Sequence, residues 1–295
     1  MAAQRSERSI GRALSIATLE LRDAGIETAR LDAELLLGYL TGKNRTRLAV
    51  DNDHELTDIQ LAELQQLVVR RIDGTSIAYL IGMREFMGHE FAVGPGVLVP
   101  RPETELMVER AVSSIPRLWD TEHIRVLDLC TGSGAIALSL ALLTDNALVS
   151  ITGSDVSADA LTFARKNRET FGLDGRVDLV EGDLLSWTDG PWDMILTNPP
   201  YLTPEQVDCN PGLATEPRLA LDGGAGGLEL ITRILDQATS RVARRFAMMI
   251  EIDPDQADAV RLLSIDHFAT ADVIIVPDLS GRARFVSIER QECPS

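Results

Sequence analysis

Residues 124–137 read Ile-Arg-Val-Leu-Asp-Leu-Cys-Thr-Gly-Ser-Gly-Ala-Ile-Ala. Ile124–Leu129 is an apolar run of strand length, and Ala135 opens an apolar helical pattern. The glycine-rich turn between them lets a ligand approach the backbone and aims helix N–H groups at it. The pattern is neither G-x-G-x-x-G nor G-x-x-x-x-G-K-[ST], and the missing lysine argues against a nucleoside triphosphate. Working outward, six more runs read as strands: 148–153, 176–181, 192–197, 246–252, 271–276 and 283–289. Helical patterns lie between most of them. This alternation predicts an α/β fold with a parallel sheet covered on both faces.

The second strand ends at Gly153-Ser154-Asp155, which places Asp155 23 residues after Gly132. An acidic residue at about that spacing can take a ribose diol. The third strand ends at Asp183, on the same carboxyl edge. A carboxylate there can accept from an adenine amine, or it can serve as a turn or cap residue. Together the turn and the two aspartates suggest an adenosine-containing ligand at the switch point of the sheet.

The fourth strand runs into Asn198-Pro199-Pro200-Tyr201. Two prolines remove two backbone N–H donors and fix the direction of the chain. The carbonyls of Asn198 and Pro199, beside the asparagine side-chain oxygen, then form an acceptor array for a planar –NH2 group. The nitrogen of an amide or aromatic amine has its lone pair delocalised. Holding both of its hydrogens orients it for attack and stabilises the charge that it acquires. Tyr201 can cover the planar group.

Other chemistries find no constellation. His54, His89, His123 and His267 show no metal spacing with the cysteines, so no metal is expected. A G-x-S-x-G elbow is absent. The glycines of 222–227 read as a loop opening a helix. Cys130, Cys209 and Cys293 cannot make a disulfide framework, which points to a reducing, cytoplasmic setting. The N-terminus shows no apolar signal region, and no stretch approaches about 18 uninterrupted apolar residues, so no membrane association is expected. The net charge of −17 argues against gripping DNA through its phosphates, though not against a basic protein partner.

Texture and charge both change near residue 80: the first 80 residues carry −2 and the rest −15. The first part reads as short helices. One buries Leu14, Ala17 and Leu21; another carries Leu31, Leu35 and Leu36; a third follows the capping box Thr57-Asp58-Ile59-Gln60 with Leu61, Leu64, Val68 and Ile72. Next come glycines and prolines among alternating apolar residues, an extended or hairpin-like segment. The domain reading is a helical bundle over 1–80, an extended or hairpin linker over 81–105, and the catalytic α/β domain over 106–295.

Several segments resemble the release-factor glutamine methyltransferase family (PrmC, also called HemK), within the class I S-adenosylmethionine-dependent methyltransferases. They are 82–86, Leu98-Val99-Pro100-Arg101-Pro102-Glu103-Thr104-Glu105, Asp128 to Ala137, Asn198 to Tyr201, and 216–224. Glu251-Ile252 and 278–281 add to the match, which spans roughly 76–290. Asn-Pro-Pro-Tyr by itself is shared with DNA adenine, ribosomal RNA and ribosomal-protein methyltransferases; Pro-Arg-Pro-Glu-Thr-Glu narrows it to the release-factor enzymes. The resemblance implies a seven-stranded, mostly parallel, Rossmann-like methyltransferase sheet with an N-terminal helical bundle for substrate recognition.

It also implies transfer of a methyl group from S-adenosylmethionine, leaving S-adenosylhomocysteine, to the glutamine amide of the Gly-Gly-Gln motif in peptide-chain release factors. Carried over, Asp128 and Cys130, Thr131, Gly132, Ser133 and Gly134 form the cofactor turn. Asp155 holds the ribose, Asp183 and Leu184 flank the adenine, and Asn198 borders both ligands. Asn198, Pro199, Pro200 and Tyr201 hold the substrate glutamine. This chain departs from the family pattern at Cys130 and Asp253, where glycine is usual, and at Leu184, where some members carry an aromatic ring. The rival readings are a ribosomal-protein glutamine methyltransferase and, further off, an adenine-amine nucleic-acid methyltransferase. A cofactor-binding adaptor without turnover is disfavoured by the intact acceptor array.

Overall fold

The computed structural model describes residues 7–120, 122–144 and 148–291. Met1–Ser6 and Cys293, which enter the readings of the N-terminus and the thiols, lie outside the described residues. The chain divides into two compact units, Met1–Met83 and Arg84–Ser295.

The first unit is helical: α1 (Ile10–Asp23), α2 (Ala29–Thr41), α3 (Arg45–Val50), α4 (Asp58–Ile72) and α5 (Ile77–Ile81). Its core gathers Ile10, Leu14, Leu21, Leu36, Leu37, Leu48 and Val68. The Thr57–Gln60 capping box forms with both reciprocal hydrogen bonds. The buried face of α2 is Ala33, Leu36 and Leu37, whereas Leu31 is exposed. Asp32, on the same buried side, pairs with Arg71 of α4 at 2.8 Å.

A hairpin of β1 (Met83–Phe86) and β2 (His89–Ala92), all but its first residue in the second unit, is followed by α6 (Glu105–Trp119). Phe86 and Phe91 are fully buried, with ring centroids 5.9 Å apart, and pack into the core beneath the main sheet. The main elements are β3 (Ile124–Leu129), α7 (Ala135–Leu143), β4 (Val149–Asp155), α8 (Ala158–Thr170), β5 (Val177–Glu181), β6 (Trp192–Thr197), α9 (Pro204–Asp208), α10 (Glu229–Ala238), β7 (Val242–Glu251), α11 (Ala257–His267), β8 (Asp272–Pro277) and β9 (Ala283–Arg290). The seven strands from β3 onward form one sheet in the order β5-β4-β3-β6-β7-β9-β8, and β9 pairs antiparallel with both neighbours.

The central strands are mostly apolar because helices cover both of their faces. Val126, Leu127 and Leu129 of β3, and Met194, Ile195 and Leu196 of β6, are buried. Helix α7 is apolar on every side and buried through Ala141, as a helix that packs all round must be. Successive strands run outward from β3 to β5, then cross back to β6. The carboxyl ends of β3 and β6 therefore diverge into a crevice, the place where such sheets bind ligands.

Candidate active site

The glycine-rich turn leaves β3 through Cys130, whose φ of +61° is left-handed. Glycine adopts that conformation without strain and cysteine does not, which is a physical reason for the glycine that the family resemblance implies at this position. The turn is bound to β4 by the Thr131 amide donating to the Ser154 carbonyl at 2.9 Å. A Cβ on Gly153 would lie 2.8 Å from Thr131 Oγ1, so the turn approaches β4 only because that residue is glycine.

Asp128 is fully buried under the turn. Its Oδ2 accepts from Thr131 Oγ1 at 2.5 Å and from the Ala137 amide at 3.0 Å. Its Oδ1 is buried and, among the described residues, meets no donor. Burial pushes this carboxyl up to about 7. Asp155 receives the Gly132 amide on Oδ2 and the Ser157 amide on Oδ1, each at 2.9 Å. Burial raises its pKa as well, against the lowering effect of those two donors.

One cavity of about 360 Å³ collects these groups. Of the site residues expected from the sequence, Cys130, Thr131, Gly132, Ser133, Asp155, Asp183, Leu184, Asn198 and Pro200 line it. Asp128, Gly134, Pro199 and Tyr201 do not. Asp128 and Gly134 support the turn from within, the Gly134 amide donating to the Thr131 carbonyl at 2.8 Å. Leu184 is buried against the cavity with φ +49°. Its loop is held by α10: Arg233 pairs with Asp183 at 2.7 Å, and Gln237 accepts the Leu185 amide at 2.8 Å. Asp183 thus already spends one oxygen on a cation.

At the end of β6, Asn198 Nδ2 donates to Thr104 Oγ1 at 3.3 Å. The Thr104 hydroxyl in turn donates to Glu251 Oε2 at 2.7 Å, and the Tyr201 hydroxyl donates to Glu251 Oε1 at 3.3 Å. Among the described residues no donor reaches Asn198 Oδ1 or the carbonyls of Asn198 and Pro199. Glu251 is buried, and that burial raises its pKa to about 7. The Tyr201 hydroxyl is pushed up by burial and then by the Glu251 charge.

The 222–227 glycines brace this end of β6. A Cβ on Gly223 would stand 2.6 Å from the Pro200 carbonyl, and one on Gly227 would stand 2.0 Å from that of Tyr201. Glu216, also buried, accepts the Val99 amide at 3.0 Å and pairs with Arg101, joining two of the family-specific segments.

Thr104 and Glu251 were not among the site residues expected from the sequence. The signal for Thr104 was the Pro-Arg-Pro-Glu-Thr-Glu match; Glu251 had only the short Glu-Ile match. Asp253, the other departure, has φ −68° and a side chain that accepts the Asp255 amide at 3.0 Å. Its backbone needs no glycine, and its carboxylate caps the following turn.

The site suits a ligand rich in donors. Burial, followed by the Asp155 and Asp128 carboxylates, drives the Cys130 thiol far up, so it stays protonated. Asp155, which lines the cavity, keeps lone pairs beyond its two amide bonds. S-adenosylmethionine, with its ammonium, ribose hydroxyls and adenine amine, fits this set of acceptors.

Strand order, a glycine-rich turn after the central strand and an acceptor array closing β6 together define a methyltransferase. Residues 108–216 match the methyltransferase small domain family, and residues 12–82 match the PrmC N-terminal domain family. The chain is 38% identical to a release factor glutamine methyltransferase of Moorella thermoacetica, over 96% of this chain and 100% of that one. It is 36% identical to the corresponding Bradyrhizobium diazoefficiens protein, over 96% and 95%. A solved methyltransferase from Pyrococcus furiosus shares the fold, with a TM-score of 0.52 and 17% identity over 77% of this chain and 98% of that one. This chain belongs to the release factor glutamine methyltransferase family. Among the described residues no helix is long and apolar enough to cross a membrane.

Proposed function

We infer that this protein uses S-adenosylmethionine to methylate, in the cytoplasm, the side-chain amide nitrogen of the glutamine in the Gly-Gly-Gln motif of peptide-chain release factors. The observation that carries the reading is the open acceptor array at the end of β6: Asn198 Oδ1 with the Asn198 and Pro199 carbonyls, beside the cavity that Asp155 and Asp183 line. In this reading residues 130–134 line the methionine and ribose side, and Asp155 takes the ribose hydroxyls. Asp183 and Leu184 flank the adenine, and Asn198 to Tyr201 hold the glutamine. The helical unit recognises the substrate protein away from the glutamine, since one side chain offers little binding area.

S-adenosylmethionine supplies a methyl group activated by a positively charged sulfur. The chain supplies orientation and charge. Pro199 and Pro200 have no N–H, so this stretch of backbone sets no donor against the incoming amide. Acceptors on both N–H bonds of that amide turn its nitrogen toward the methyl group and favour the positive charge that develops on it. These acceptors are preorganised: Asn198 by Thr104, the Pro200–Tyr201 backbone by Gly223 and Gly227.

The test incubates the enzyme with labelled S-adenosylmethionine and, separately, release factor, ribosomal protein and DNA. Label should enter release factor alone, at the Gly-Gly-Gln glutamine by mass spectrometry, and vanish when that glutamine is replaced. Preferential labelling of ribosomal protein or DNA refutes the assignment.

A further inference from the structure

Thr104 stands immediately before α6, where a threonine ordinarily caps the helix. Here it makes no cap hydrogen bond. Its hydroxyl instead reaches Glu251 across the domain, 147 residues away in sequence. Glu251 is itself unusual: a buried carboxyl with which, among the described residues, no Lys or Arg pairs. An apolar residue there would be cheaper to bury. Both features make sense through Asn198.

We propose that Glu251 and Thr104 are positioning residues that fix which way the Asn198 amide faces, keeping its oxygen toward the substrate. The inference rests on the reading of Asn198 as acceptor for the substrate amide. A hydroxyl has one hydrogen and two lone pairs. An ionised carboxylate, the form Glu251 takes above the value of about 7 to which burial raises it, can only accept, so there it draws the Thr104 hydrogen to itself. Thr104 then has only lone pairs to offer Asn198, and the asparagine must present its –NH2 to Thr104. Its oxygen is left facing the other way. The Tyr201 hydroxyl on the second Glu251 oxygen keeps that carboxylate an acceptor on both sides.

A glutamine at 251 breaks this polarity. Its –NH2 can donate to Thr104 Oγ1, freeing the threonine hydrogen to seek the Asn198 oxygen. The asparagine then turns, and its –NH2 opposes the N–H bonds of the substrate. Glu251→Gln changes no shape, so it isolates direction from packing.

The experiment measures, at pH 8 where Glu251 is ionised, kcat, KM for release factor, and S-adenosylhomocysteine affinity by calorimetry, for wild type, Glu251→Gln, Thr104→Val, Thr104→Ser and the Glu251→Gln/Thr104→Val double variant. Glu251→Gln and Thr104→Val should each lower kcat by about 10²-fold, the scale for losing one preorganised polar contact in a transition state. KM and the calorimetric affinity should stay within about threefold in both. Thr104→Ser should recover most of the Thr104→Val loss, and the double variant should be little worse than either single one, since both act through one chain of hydrogen bonds. Near wild-type kcat in Glu251→Gln overturns the proposal. So does equal loss of kcat and ligand affinity, or a Thr104→Ser as poor as Thr104→Val, because those mark a general structural role. Wild-type enzyme that leaves release factor unmethylated overturns the underlying reading and this inference with it; active wild type with an active Glu251→Gln overturns this inference alone.

Discussion

Glu251→Gln should make the protein more stable at alkaline pH than at acidic pH, relative to wild type. Burial moves the Glu251 carboxyl from an ordinary 4.5 to about 7 in the folded state. The folded protein therefore binds this proton more tightly than the unfolded chain does. Below about pH 4.5 both states are protonated and the group costs nothing. Between that pH and about 7 the unfolded chain ionises first, and stability falls as pH rises. Above about 7 the loss is complete, at about 3 kcal/mol for a displacement of this size. Glutamine carries no such proton. Any change in hydrogen bonding that it brings is the same at both pH values, so it cancels when the two are compared.

The measurement is the melting temperature of both proteins at pH 4.5 and pH 8. The variant's advantage should grow by roughly 6 °C or more between them, using about 2–4 °C per kcal/mol for a domain of this size. Asp128, raised to about 7 by the same cause, keeps its own slope in both proteins and so cancels too. A difference between variant and wild type that does not change with pH would refute the claim that burial of Glu251 outweighs its two hydroxyl donors and the Arg284 charge.

Asp155→Ala should weaken S-adenosylmethionine binding by about 1.5–3 kcal/mol, or roughly 10- to 150-fold in Kd, as expected for bonds to a charged group. It also frees the Gly132 amide that Asp155 now holds at 2.9 Å. Unchanged affinity by calorimetry would end the ribose assignment. In the wild type that affinity should fall as pH drops through the raised Asp155 pKa, because the ligand's donors need the ionised form; a pH-independent Kd across the acid range would contradict this. Asn198→Ala should cut turnover by about 10²–10³-fold while leaving cofactor Kd within about threefold, and methylation at near wild-type rate would show that the amide clamp is wrong. Gly227→Ala puts a Cβ 2.0 Å from the Tyr201 carbonyl at a φ of +67°. It should lower both kcat and melting temperature, whereas an alanine variant with normal activity would show that the loop does not brace the Asn-Pro-Pro-Tyr backbone.

Much of the sheet is legible in the sequence because its centre is apolar on both faces. Ile124–Leu129 and Trp192–Thr197 form strands with the limits that their apolar runs give. Strand β7 begins earlier than its apolar run, at Val242, because Arg244 and Arg245 occupy its opening and carry no strand signal. The buried face of α2 is hard to read for a similar reason. In Leu-Asp-Ala-Glu-Leu-Leu-Leu several apolar faces are possible, and only the packing of α2 against its neighbours selects Ala33, Leu36 and Leu37. The cavity-lining residues from Cys130 to Ser133, with Asp155 and Asp183, were readable because glycines and strand-end carboxylates lie at fixed offsets along the chain. The Asn198–Thr104–Glu251 chain was not, since its members lie 94 and 147 residues apart and each has an ordinary local explanation. Sequence offsets describe elements; they do not describe hydrogen bonds that cross from one element to another.

The residues that break local rules gather where the chemistry is placed. Among the described residues four that are not glycine have positive φ, and two of them, Cys130 and Leu184, line the cavity. Each such backbone costs of order 1 kcal/mol or more. Two carboxyls, Asp128 and Glu251, are buried to the point of titrating near neutrality. What they share is effect at the site. The Cys130 and Leu184 conformations shape the two loops that border the cavity at the ends of β3 and β5, Asp128 pins the turn through Thr131, and Glu251 orders the acceptor end of β6. Water can solvate a cofactor or an amide from any direction. A site with acceptors already fixed in place avoids that reorganisation as charge develops, and stability given up at these few residues is consistent with such preorganisation.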